Sequence, residues 1–157
     1  MRRSTIALGA ILIFLMLFTA LFLAGGTLSG HLEKTTAVAS EFPEAYKQIS
    51  DVVSSGGAPQ LLGEPLPEDP ALCRLEDVTL SIYNPGLISA EWVSAKAVAG
   101  PGDVAVYSVT GEGDAIPGRS TGTMNLKLIA KTEAAQERVY RLEYYVFGMK
   151  RHVEIRG

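Results

Sequence analysis

"TMNLKLIAK", residues 123 to 131, places Met124, Leu126, Leu128 and Ala130 on one side of an extended chain and Asn125, Lys127, Ile129 and Lys131 on the other. A period of two belongs to a β-strand with one buried face, and only Ile129 departs from a polar opposite side. The same period appears upstream, where Val78, Leu80 and Ile82 alternate with Thr79, Ser81 and Tyr83. That run stops at Asn84-Pro85-Gly86, because Pro85 cannot donate to a ladder and Gly86 can adopt positive φ. Ile88 to Val98 is another run with blurred alternation, and Val104 to Val109 a further one.

Val139 to Phe147 and His152 to Ile155 read as a closing hairpin turning near Gly148-Met149-Lys150. Tyr140, Leu142, Tyr144 and Val146 share the face expected in the core, with Arg141, Glu143, Tyr145 and Phe147 opposite. If left exposed, Tyr145 and Phe147 beside Met149 form a candidate protein-binding patch.

A different period precedes the strands. In "EFPEAYKQISDVVSSGG", Phe42, Tyr46, Ile49 and Val53 recur at the spacing of one helical face, with Pro43 in the first turn and Gly56-Gly57 as a stop. Ala58 to Pro70 then carries four prolines and reads as an extended connector, whose Leu61, Leu62 and Leu66 can bury side chains without regular structure. One amphipathic helix before a run of antiparallel strands predicts an α+β fold, a sheet covered on one face by the helix. The alternative is an all-β sandwich, in which the helix stays apart from the sheet.

Thr5 to Ala24 holds no charged side chain, and about 20 apolar residues suffice to cross a hydrocarbon core. With Arg2 and Arg3 before it, the stretch is expected to be a retained single-pass anchor with a cytoplasmic N-terminus, longer than the apolar core of a cleaved signal. The expected organisation is residues 1–26 as N-terminus and span, 27–41 as a stalk or helix extension, and 42–157 as an extracytoplasmic domain. The expected location is the inner or plasma membrane.

Beyond the two arginines, 12 basic side chains face 17 acidic ones, a net charge of −5 that argues against a nucleic-acid surface. Cys73 is the only cysteine, so no intrachain disulfide can form. His31, Cys73 and His152 have no zinc spacing. Asp103, Glu112 and Asp114 lack a regular calcium-ligand pattern, so no metal or other cofactor is expected. "GEGD", residues 111 to 114, lacks the Lys-Ser/Thr ending of a phosphate loop and reads as a turn. No set of convergent polar groups marks an enzyme.

The order of elements resembles the cytochrome c oxidase assembly protein 1 family, whose superfamily includes a small subunit of the mitochondrial presequence translocase. The matching stretches are "LLGEPL" (61 to 66), "VAVYSVTGEGD" (104 to 114), "GRSTGTMNLKLIAK" (118 to 131) and "YRLEYYVFGMKRHVEI" (140 to 155). The motif positions are Leu62, Gly63, Pro65, Gly111, Gly113, Gly118 and Gly122. The resemblance implies a helix on an antiparallel sheet and a non-enzymatic assembly or accessory role in a membrane complex, notably a respiratory one. "LSIYNPG" (80 to 86), with Asn-Pro at a strand end, resembles the late-embryogenesis-abundant type 2 domain and implies a free-standing stress-protective module.

Overall fold

The computed structural model describes residues 2 to 111, 113 and 115 to 157, with the side chains of residues 2 to 8 and 21 to 24 outside the description. Helix α1 (Arg2–Ala24) is followed by β1 (Ser29–Val38), α2 (Pro43–Ser54) and β2 (Gln60–Leu61). Then come β3 (Cys73–Tyr83), β4 (Glu91–Ala97), β5 (Asp103–Thr110), β6 (Thr121–Lys131), β7 (Val139–Val146) and β8 (Met149–Arg156). The strands form two antiparallel sheets, one of five strands in the order β1-β3-β6-β5-β2 and one of three in the order β4-β7-β8.

The alternating sequences explain the layers. Val78, Leu80 and Ile82 of β3 and Met124, Leu126 and Leu128 of β6 point inward, and Tyr140, Leu142, Tyr144 and Val146 of β7 meet them from the second sheet. All are buried in one core, which is the packing of a β-sandwich. The α+β expectation is therefore corrected to an all-β fold. The inner face of the large sheet is covered by another sheet, and α2 occupies only part of its outer face.

On that outer face Tyr46 and Ile49 of α2 pack with Cys73, Val104, Ala105 and Ile129. Ile129, the one apolar residue on the polar side of β6, marks where α2 sits. Beyond the helix the same face is polar, lined by Glu33, Thr35, Asp77, Thr79, Ser108, Thr110, Asn125 and Lys127.

Residues 29 to 38, expected in a stalk or helix extension, are instead an edge strand paired with β3 from Ser29↔Tyr83 to Val38↔Arg74. Most of its side chains are exposed, so little apolar alternation betrays it. Both edges of the large sheet are tied to the small one. At one, Gly30 of β1 lies so close to β8 that a Cβ there would sit 2.0 Å from Ile155 Cδ1. At the other, the Gln60 amide donates to the Ala97 carbonyl (2.7 Å) and accepts from the Ala97 N–H (3.1 Å).

Among the described residues no helix is long and apolar enough to cross a membrane. The single-pass anchor, the transmembrane reading of Thr5 to Ala24 and the inner- or plasma-membrane location are corrected accordingly.

Candidate functional site

The strands carry the sequence motifs to opposite ends of the sandwich. At one end, where β3, β5 and β7 begin, Arg74, Glu76, Asp103 and Arg138 are all buried. Arg74 donates from Nε to Glu76 (2.7 Å) and from Nη2 to the Ala135 carbonyl (2.7 Å). Arg138 donates to Glu76 and, through Nε, to Asp103 (2.8 Å). The second Asp103 oxygen accepts from the Gly100 N–H (3.0 Å). Two cations against two carboxylates leave the cluster neutral. Burial pulls the Arg138 pKa down, but Asp103 and Glu76 outweigh it and hold the guanidinium above its ordinary value.

The Tyr140 hydroxyl lies beside this cluster, buried and, among the described residues, without a hydrogen-bond partner. Burial pushes its pKa up to about 12 against the opposing pull of Arg138. Each of the four charged side chains is buried and paired with another of them, which is the arrangement of a structural ion network. Asp103 is committed to Arg138 at this end, away from the β5–β6 loop, so it cannot join a calcium site there. Glu112 and Asp114 lie outside the described residues. Among those described, no group of three or more His, Cys, Asp or Glu side chains is placed to hold a metal ion.

The leucine-proline connector runs past the same end. Leu62 enters the main core, and its N–H donates to the Val104 carbonyl at 2.9 Å. Gly63 bends the chain at φ +109°. Pro65 then lines an open concavity of about 580 Å³ with Leu66, Pro67, Leu72, Lys131, Thr132 and Glu133. Lys131 and Glu64 pair across its rim at 2.8 Å. The remaining motif glycines, Gly111, Gly113, Gly118 and Gly122, lie in or beside the β5–β6 connection at the far end. Gly118 is required by close approach, since a Cβ would meet the Leu87 carbonyl carbon at 2.5 Å. The seven motif positions thus form no single site.

At that far end Asn84 is fully buried. Its amide donates to the Ile88 (2.8 Å) and Ile116 (2.9 Å) carbonyls, and its oxygen accepts from the Gly86 N–H (3.0 Å). One side chain thereby fixes the corner where β3 ends, the chain crosses to the small sheet, and the β5–β6 connection folds over it.

Beside this corner the outer face of the small sheet carries the exposed aromatics. The β4–β7 register shifts between Glu91 and Ser94, a bulge in which Trp92 takes φ +53° and stands 70 % exposed. Glu91 pairs with Tyr145, and Glu91, Trp92, Tyr145 and Gly148 line a concavity of about 370 Å³. Phe147, at φ +54°, is half exposed in the adjacent turn, and Met149 opens β8. The candidate patch of Tyr145, Phe147 and Met149 therefore does gather at one hairpin. Trp92 and Glu91, which line the concavity with Tyr145, escape the sequence reading because a bulge breaks the alternation. The blurred period of residues 88 to 98 was the available signal.

A two-sheet antiparallel sandwich with a side-chain-locked Asn-Pro-Gly corner and an aromatic hairpin defines a small all-β module. No protein-family model matches the chain, and no curated protein matches it.

Proposed function

We propose that the chain is a non-enzymatic binding module of the late-embryogenesis-abundant type 2 kind, acting through the surface of its sandwich to protect other macromolecules under stress. The observation that carries this reading is Asn84. The Asn-Pro pair on which that resemblance rests is fully buried at its asparagine and holds the corner of the fold through three hydrogen bonds. The accessory-subunit reading drew on the order of elements and on a single sheet under a helix, whereas this chain has two sheets, with α2 on part of the outer face of one.

The two readings part in one experiment. The purified full-length chain is added to an unrelated heat-labile enzyme, and aggregation is followed by light scattering on warming and after drying. Suppression near equimolar ratio, absent with an inert protein at equal mass, is expected. No suppression, together with recovery of the chain in fixed stoichiometry with one set of subunits, overturns the proposal in favour of an accessory role.

A further inference from the structure

We propose that the concavity beside the β4 bulge is a binding site for a small organic cation of the quaternary-ammonium class. The site goes beyond the protective role and does not depend on it. Three observations converge. Its lining is two aromatic side chains, Trp92 and Tyr145, with the Glu91 carboxylate and the Cβ-free Gly148. A cation against a ring face is attracted by the ring quadrupole, most strongly for tryptophan, and quaternary ammonium groups are taken in such aromatic cages.

The charges around it single out Glu91. Of the three carboxylates in the small sheet's strands, Glu143 is paired with both Lys96 (3.3 Å) and Lys150 (3.0 Å), and Glu154 with Arg141 (2.9 Å). Among the described residues Glu91 forms no ion pair, although Lys150 lies one strand away, held on Glu143. A carboxylate without an ion pair among the described residues, in a concavity also lined by two aromatic residues, fits a positive, apolar-skinned ligand better than an anion or a neutral sugar.

Backbone strain is the third observation. Left-handed φ is unfavourable for a bulky side chain, yet the chain keeps it at both Trp92 and Phe147, where the aromatic side chains stand exposed and do not build the core. A bulge of this kind re-aims a side chain, and here it presents the indole at the rim.

Trp92 is the only tryptophan in the chain, so its emission reports this site alone. The experiment titrates the full-length protein with choline chloride at constant ionic strength, with 3,3-dimethylbutan-1-ol as the neutral isostere and arginine as a guanidinium probe. Saturation-transfer NMR on the choline methyl groups provides a second readout. Expected are a saturable change with choline, none with the alcohol, weaker binding of arginine, and about tenfold loss in Glu91→Gln, whose change is exposed and whose fold is checked by circular dichroism. The site is overturned if choline gives no saturable response by either method. Equal binding of the alcohol, or a folded Glu91→Gln protein that binds choline as tightly as wild type, also overturns it.

Discussion

Asn84 and Tyr140 sit at opposite ends of the same core and bear opposite relations to their surroundings. Every Asn84 side-chain bond goes to a main-chain group, so Asn84→Ala takes the partner from the Ile88 carbonyl and the Gly86 N–H, while the Ile116 carbonyl keeps the Ala90 N–H. Leaving buried polar groups unpaired costs ~1–3 kcal/mol for each such group, and we expect Asn84→Ala to lower unfolding free energy by about 3 kcal/mol in urea titrations. Among the described residues the Tyr140 hydroxyl has no hydrogen-bond partner, so removing it unpairs no other described group. Tyr140→Phe is expected to be neutral or stabilising by about 1 kcal/mol in the same assay. Arg138→Met, by contrast, takes from buried Asp103 its guanidinium partner and leaves Glu76 with Arg74 alone, and is expected to cost ~3–5 kcal/mol. A Tyr140→Phe protein as unstable as Arg138→Met would show that the hydroxyl belongs to the ionic network.

At the level of elements, the β7–β8 hairpin closes in two residues, Phe147 and Gly148, at φ +54° and +71°. Two-residue loops with both φ positive favour Asn-Gly, because asparagine tolerates the left-handed region and phenylalanine does not. Phe147→Asn is therefore expected to raise stability by roughly 0.5–1 kcal/mol, read as an increased melting temperature. Lower stability would mean that the Phe147 ring packs more than its half exposure suggests. The same reasoning separates the strands that sequence revealed from those it hid. Strands β3, β6 and β7 each bury one complete face and alternate cleanly. Strand β1 is an edge with little to bury, and β4 is bulged, so neither carries a full period-two signal.

For the molecule as a whole, the two phenols pushed up to about 12 link stability to alkaline pH. Tyr46 is raised mainly by burial between α2 and the large sheet, with Cys73 adding to it, and Tyr140 mainly by burial in the core. Each ionises at its ordinary value near 10 in the unfolded chain and only about two pH units higher in the folded one. The unfolded state therefore loses protons first as pH rises. Their stabilising contribution is complete below pH ~10 and is lost between about 10 and 12, at up to ~1.4 kcal/mol per pH unit for Tyr140 and less for Tyr46, which lies nearer solvent. Urea midpoints should fall over that window, and the fall should be shallower in Tyr140→Phe. A flat profile would place both hydroxyls in contact with water.

What the sequence determined by itself is the material of each layer. Alternation in 78 to 82, 123 to 131 and 139 to 147 named the inward residues, and the 3.6 period of 42 to 53 named the helix, because those patterns depend only on local geometry. The choice between one sheet under a helix and two sheets face to face was not local. It rested on which apolar face meets which, and on Gln60 and Gly30 tying strands far apart in the chain across the gap. The candidate site was half legible for the same reason: Tyr145, Phe147 and Met149 lie on one hairpin, whereas Glu91 and Trp92 join them only through pairing across a bulge. Apolar length alone overstated the N-terminal segment. The tertiary structure decided the fold class because burial is a relation between segments, and period reports only that a face must be covered, not by what.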